Sequence, residues 1–311
     1  MKLLVLTALS FFFIATSTLA INSFNIKPQN SDGEKPISQM NDEISLAPLP
    51  VLTGNETLPE LSAYSVFAVD LPSGVSLYEK NPDASLLPAS TTKIITSLIA
   101  IDYYHPDEVL SVGTEIAVEG QKMRLAVGEK IKVNDLLYGL LVYSANDAAE
   151  VLAVNYPGGR ESFITAMNLK ARDLNLNNSN FTNPTGLDGN THVSSARDLV
   201  RVSAYAMKNS YFRKIVGTKE ITVRSSDEKF VHKLTNINEL LGEVEGVLGV
   251  KTGWTENALE NLITYVERDG RKVMIAVLGS NDRFSETSSL IDWIFRNYEW
   301  RSVQRPSFNP R

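Results

Sequence analysis

Two kinds of hydrophobic spacing divide this chain, and their order restricts the folds open to it. The run Tyr64-Ser65-Val66-Phe67-Ala68-Val69-Asp70 reads as a strand, Leu71 to Gly74 as a turn and Val75 to Tyr78 as a second strand. Far along the chain, residues 246–253, 261–267 and 272–278 read as strands again, the last two joined by the hairpin signal Asp269-Gly270. Between these ends the spacing is helical. Ile94, Ile95, Leu98, Ile99 and Ile101 mark a helix apolar on most sides, hence a buried one. Residues 134–143, with Asn134 as N-cap, and 147–154 read as two helical pieces. Further helices are predicted over 160–174, 194–207 and 285–298, the last with Leu290, Ile294 and Tyr298 on one stripe. Strands at both ends of a helical middle predict an α/β (α+β) fold. One antiparallel sheet is assembled from both chain ends and flanked by helices, and the helical middle forms an all-helical lobe.

The N-terminal region reads differently. Met1-Lys2, the mostly apolar run 3–15 and the small residues Thr18 and Ala20 give the order of a secretory signal peptide over residues 1–20. The same stretch is nearly long enough for an uncleaved membrane anchor, and either form exports the remainder of the chain. Residues 21–60, with Pro28, Pro36, Pro48, Pro50 and Pro59 and no period, read as a linker before a folded part at 61–300 and a tail at 301–311. An exported chain without a single Cys has no disulfide and no Cys-bound metal, so its stability must come from a sizeable core. With 43% hydrophobic residues such a core is available. The net charge of −6 and the absence of a long basic cluster argue against nucleic acid as a partner.

Three short motifs carry the chemistry: Ser90-Thr91-Thr92-Lys93, Ser144-Ala145-Asn146 and Lys251-Thr252-Gly253. Each tripeptide-scale match is weak alone, as two decoys in the same chain show. Ser226-Asp227-Glu228-Lys229 repeats the first pattern in a polar turn, and Ser23-Phe24-Asn25 repeats the second beside the targeting segment. The three in order, each in a suitable context, make a serine acyl-transfer site that works without histidine.

The residue types suit that task. A serine hydroxyl needs a base, and Lys93 stands three residues after Ser90, on the same helical face. Lys93 must lose its proton near neutral pH, which burial and a second cation, Lys251, are expected to promote. The positive helix N-terminus favours an alkoxide at Ser90. Ser144 is placed to relay a proton, and the Asn146 amide to hold Lys93 and the substrate. Lys251 and Thr252 offer a cation and a hydroxyl to a carboxylate, while Gly253 leaves room for a close backbone approach. The strand edge then takes substrate as an added strand. The N–H groups of Ser90 and Trp254 are the expected oxyanion donors. With only three His, no His-Glu-x-x-His and no Gly-x-Ser-x-Gly, zinc-peptidase and hydrolase-elbow readings lack support, and no cofactor is expected.

These residues resemble a family: the low-molecular-mass penicillin-binding proteins that are serine D-alanyl-D-alanine carboxypeptidases. The resemblance runs from about Tyr64 to Tyr298. Besides the three motifs it includes 136–141 (Leu-Leu-Tyr-Gly-Leu-Leu), Asn146-Asp147-Ala148-Ala149, 181–187 (Phe-Thr-Asn-Pro-Thr-Gly-Leu), His192 to Asp198 and Gly249-Val250 ahead of Lys251. It implies removal of the terminal D-alanine from the peptidoglycan pentapeptide stem through an acyl-enzyme on Ser90, and covalent trapping by β-lactams. It also implies the two-lobed fold. Arg283, in an Asp-Arg-Phe stretch like the family's, is a second candidate for the substrate carboxylate, against a surface salt bridge. His192 and Arg197 are expected to brace the fold. Two positions depart from the family pattern: Ala145 stands where a glycine is usual, and so does Leu259, just after Trp254. Because the chain stops soon after Tyr298, membrane attachment is expected only through the N-terminal segment.

Two rival functions remain open on the sequence. A β-lactamase would share the mechanism, but the Glu-x-x-Leu-Asn stretch of the resembling β-lactamases does not occur between Ser144 and Lys251. A catalytically silent wall-binding or β-lactam-sensing protein would be expected to lose at least one of Ser90, Lys93, Ser144, Asn146, Lys251 and Thr252, and all are present.

Overall fold

The structure, a computed structural model, describes residues 47–114 and 116–302. The expected signal segment 1–20, most of the expected linker and residues 303–311 of the tail lie outside the described residues. The strands are β1 (Leu49–Leu52), β2 (Ser65–Asp70), β3 (Ser76–Lys80), β4 (Val109–Ser111), β5 (Lys130–Lys132), β6 (Glu220–Arg224), β7 (Val231–Thr235), β8 (Val247–Thr255), β9 (Leu259–Arg268), β10 (Arg271–Ser280) and β11 (Tyr298–Arg301). The helices are α1 (Lys93–Tyr103), α2 (Val133–Leu141), α3 (Asn146–Val154), α4 (Gly159–Asp173), α5 (Ala196–Ala206), α6 (Ser210–Val216) and α7 (Arg283–Asn297).

The central sheet has the order β3-β2-β10-β9-β8, antiparallel throughout, so both ends of the folded region meet in it as the hydrophobic spacing predicts. Every residue of β2 is buried, which requires cover on both faces. The alternation of the strand divides that cover. Phe67 and Val69 join a core with Ile94 and Leu98 of α1, whereas Val66 and Ala68 join a second core with Leu290 and Ile294 of α7. β10 divides in the same way: Met274 and Ala276 face the helical lobe, and Val273, Ile275 and Val277 face α7. The period-2 signal therefore reads as a continuous apolar run because both faces are dry.

α1 runs through the middle of the larger core and is buried from Lys93 to Ala100. This buries a lysine along with seven other residues, which matters for the chemistry below. His192 and Arg197 tie segments together as expected. Thr182 N–H donates to His192 Nδ1 at 2.9 Å, so the ring proton sits on Nε2 and donates to Thr92 Oγ1 at 2.8 Å. Burial lowers the His192 pKa to about 4, which leaves the ring neutral. Arg197 bonds Asp83 at 2.8 Å and stacks over the Phe67 ring.

Three expectations need correction. Residues 49–52, read as part of the linker, form β1 and pair with β11; Thr53 and Gly54 then donate to Asn297 O. The pairing partner lies at the other end of the chain, where no local pattern reveals it. Asn134 is not the N-cap of α2, a place taken by Lys132; its side chain instead donates to Asp135 and accepts from Tyr211. Residues 208–245, where the spacing predicts no element, contain α6 and the β6–β7 hairpin, pieces of only seven, five and five residues with too few periods to register in sequence.

Candidate active site

Ser90 lies in a single 3₁₀ turn, Ala89–Thr92, that leads directly into α1. The turn is clamped from two sides by glycines. A Cβ on Gly186, whose φ is +88°, would lie 1.9 Å from Ala89 O, and one on Gly253 would lie 3.0 Å from Ser90 N. At Gly186 only glycine fits, and at Gly253 a Cβ would push on the backbone of Ser90. The site also holds non-glycine residues in left-handed conformations: Ala89 at φ 48° and Ser144 at φ 62°. Such strain persists only where the surroundings over-determine it.

The motif residues converge. Ser90, Ser144, Asn146, Thr252, Gly253, Trp254 and Arg283 line one cleft of about 900 Å³, with Lys93 and Lys251 buried behind it. Lys93 Nζ has three oxygen neighbours: Ser90 Oγ at 2.8 Å, Asn146 Oδ1 at 2.6 Å and the Thr185 carbonyl at 2.6 Å. An ammonium donates to all three. A neutral amine has two N–H groups, which Asn146 and Thr185 accept, so its lone pair faces the Ser90 hydroxyl.

Burial lowers the Lys93 pKa to about 7, against a smaller opposite pull from Asp147 and Glu150. Lys251 is also held well below the ordinary lysine range, by burial first and then by the Lys93 and Arg283 charges. The expected second cation is thus not the main cause of the Lys93 shift; removal from water is. Lys251 Nζ donates to Ser144 Oγ at 2.9 Å and to its neighbour's carbonyl, Thr252 O, at 2.9 Å.

Two buried polar atoms at the cleft have no partner among the described residues: Thr252 Oγ1 and Arg283 Nε. A native site rarely leaves such atoms unpaired without a ligand to meet them. Arg283 is otherwise held by Gly253 O at 3.2 Å and by Glu260 at 3.8 Å. Trp254 is 62% exposed at the rim of β8, the edge strand of the sheet.

The two departures from the family pattern have clear settings. Ala145 has an ordinary extended backbone, φ −64° and ψ 121°, so a Cβ fits without strain. Leu259 has φ 56°, the left-handed region that glycine occupies freely, at the residue paired with Thr255 where the β8–β9 turn closes. Asp188 steadies that turn by accepting from Thr255 Oγ1 at 2.7 Å and Asn257 Nδ2 at 3.0 Å. Sequence reasoning missed Asp188. It also missed the carbonyls of Thr185 and Glu119, the latter accepting from Asn146 Nδ2 at 2.7 Å, because a main-chain oxygen leaves no trace in residue type.

The geometry agrees with comparisons to known proteins. A family model described as D-alanyl-D-alanine carboxypeptidase, Peptidase_S11, matches residues 53–282. The chain belongs to this family of serine peptidases. It is 33% identical over 247 residues to the D-alanyl-D-alanine carboxypeptidase DacF of Bacillus subtilis (strain 168), covering 76% of this chain and 63% of that relative. It is also 33% identical over 258 residues to a D-alanyl-D-alanine endopeptidase of Pseudomonas aeruginosa, covering 81% of this chain and 83% of the relative. Among solved structures, the Streptomyces K15 DD-transpeptidase superposes with a TM-score of 0.74 at 31% identity, over 78% of this chain and all of that one. The fold is that of the DD-peptidases.

Proposed function

We propose that this chain is an exported serine-type D-Ala-D-Ala carboxypeptidase. It removes the terminal D-alanine from peptidoglycan stem pentapeptides through an acyl-enzyme on Ser90, and β-lactams acylate the same serine. The observation that carries this reading is the setting of Lys93: a fully buried amine with a pKa of about 7, 2.8 Å from the Ser90 hydroxyl.

The steps rest on the contacts. Lys93 takes the Ser90 proton as Oγ attacks the carbonyl of the penultimate D-alanine. The developing oxyanion is met by the N–H groups of Ser90 and Trp254, which the close approach of Gly253 to Ser90 N brings together. The departing amine takes a proton through Ser144, whose oxygen accepts from Lys251. Water then attacks the ester and releases the shortened stem. Thr252 Oγ1 and the Arg283 guanidinium receive the terminal carboxylate, which gives the unpartnered atoms their ligand. A β-lactam enters by the same route, since it presents a reactive amide beside a carboxylate.

Lasting β-lactamase activity fits less well. Among the described residues no carboxylate hydrogen-bonds Lys93 or Ser90, and the third contact of Lys93 is the Thr185 carbonyl, where no base for a deacylating water stands. Export rests on the segment 1–20. Among the described residues no helix is long and apolar enough to cross a membrane.

The test uses the intact protein and a Ser90→Ala variant with labelled penicillin, then with a peptide ending in D-Ala-D-Ala. The expected outcome is a stable adduct and release of D-alanine by the intact protein alone. An intact protein that does neither sinks the reading, and fast penicillin turnover replaces it with a β-lactamase.

A further inference from the structure

Asn146 is held by a stretch of chain that has no regular structure. Its backbone N–H donates to Gln121 O at 2.7 Å, and its side-chain Nδ2 donates to Glu119 O at 2.7 Å. This leaves Oδ1 turned to Lys93. Residues 116–128, which supply both carbonyls, are neither helix nor strand, and Glu119, Gly120 and Gln121 line the cleft. Something other than a backbone ladder must fix them.

Three buried side chains do so, two of them at Met123. The Asp147 carboxylate accepts from Met123 N and Leu125 N, both at 3.0 Å. On the other side of the same residue, His232 Nδ1 meets Met123 O at 2.9 Å. His232 Nε2 meets Glu129 Oε1 at 2.7 Å, and the second oxygen of Glu129 accepts from Ala126 N at 2.9 Å. Both ring nitrogens thus face oxygen, in a place where His232 is 7% and Glu129 2% exposed. His232 comes from β7, in the hairpin distant in sequence from every motif. A buried polar group so fully engaged is costly to disturb.

We propose that His232, through its contacts with Met123 O and Glu129, is a positioning residue for catalysis: it pins the 116–128 segment so that Glu119 O and Gln121 O hold Asn146 in the orientation Lys93 requires. His232 touches neither Ser90 nor Lys93. Removing its bond to Met123 O leaves the segment held at its midpoint by Asp147 alone, the carbonyls that fix the Asn146 amide shift, and its Oδ1 no longer stands where the Lys93 amine needs it. A misplacement on the order of 1 Å in such a contact costs roughly 100-fold in rate. The proposal rests on the reading of Asn146 as a catalytic side chain.

The test measures the rate of Ser90 acylation by a fluorescent penicillin in the full chain. His232→Phe, which fills the volume but donates nothing, is expected to slow acylation by roughly 10- to 100-fold. His232→Asn places its amide nitrogen where Nδ1 stands and is expected to recover most of that rate. In an Asn146→Ala background, His232→Phe is expected to add nothing, because its effect passes through Asn146. An unchanged rate in His232→Phe, or losses that multiply in the double variant, overturns the proposal. Should His232→Phe fail to fold, His232→Asn and Glu129→Gln carry the same comparison, with smaller losses that vanish on Asn146→Ala. Amide exchange separates this inference from the enzyme reading. The Asn146 N–H is expected to exchange roughly tenfold faster in the His232 variant even if the intact protein never reacts with penicillin, and unchanged exchange overturns the clamp.

Discussion

The two faces of the central sheet are built on opposite terms. Toward α7, Val66, Ala68, Leu262, Val273, Ile275, Val277, Leu290 and Ile294 pack with the buried hydroxyls of Thr264 and Thr287 and with no lysine. Toward the cleft the interior contains two lysines, 0% and 1% exposed, and two non-glycine residues in left-handed conformations. Unpartnered polar atoms occur on both faces, on Thr264 and Thr287 toward α7 and on Thr252 and Arg283 at the cleft. The first face is what a chain without disulfides needs in order to stay folded. The second lowers stability to keep an amine dry and a half-buried serine open to the cleft, and the other face and the helical core offset that loss.

The widest separation between the faces is expected from Lys93→Met. Acylation of Ser90 should fall by at least ~1,000-fold, while the melting temperature rises, with a gain on the order of 2 kcal/mol. The sign comes from linkage. The folded pKa of about 7 lies below the ordinary lysine value of 10.5, so the unfolded chain binds more protons between those limits. The stabilisation should therefore be largest at and below about pH 7 and fade toward 10.5. Denaturant melts across that range, paired with penicillin labelling, check both halves; a destabilised Lys93→Met breaks the comparison.

The same group sets the pH profile. Lys93 is a base only when neutral, so acylation of the intact protein should fall about tenfold per pH unit below its pKa of about 7. A flat profile from pH 5 to 8 would remove Lys93 from the role. On the opposite face, Ile275→Ala should cost about 2–5 kcal/mol of stability with little change in the acylation rate of the folded fraction. A rate loss there would mean that the two faces are not independent. The smallest effect is expected at the turn after Trp254. Leu259→Gly relieves a left-handed leucine and should stabilise by about 1 kcal/mol, with acylation unchanged within about twofold. A loss of stability would show that the partly exposed leucine side chain contributes more than its backbone strain removes.

Much of this was legible in the residues because it is local. A spacing of three on a helical path puts Lys93 beside Ser90, and alternation in β2 and β10 marks them as core strands. What stayed hidden depends on pairing across long separations. β1 looked like linker because its partner, β11, lies about 250 residues further on, and Pro48 and Pro50 mask a strand of four residues. The hold on Asn146 was hidden for another reason: it is made of main-chain carbonyl oxygens of Glu119 and Gln121, which a residue of any type would carry.

By itself the sequence singled out the groups that the structure gathers at and behind one cleft: a serine, two lysines, an amide and a hydroxyl. It determined too that strands from both ends enclose a helical lobe. Only the tertiary structure decided that Lys93 is dry, because the burial that lowers its pKa comes from segments distant in the chain, among them Asn146 of α3 and Thr185, rather than from its neighbours in sequence. Only it decided, likewise, that a histidine in a distant hairpin helps to aim Asn146. Dielectric and distance are properties of the folded neighbourhood, whereas residue type and spacing are properties of the chain.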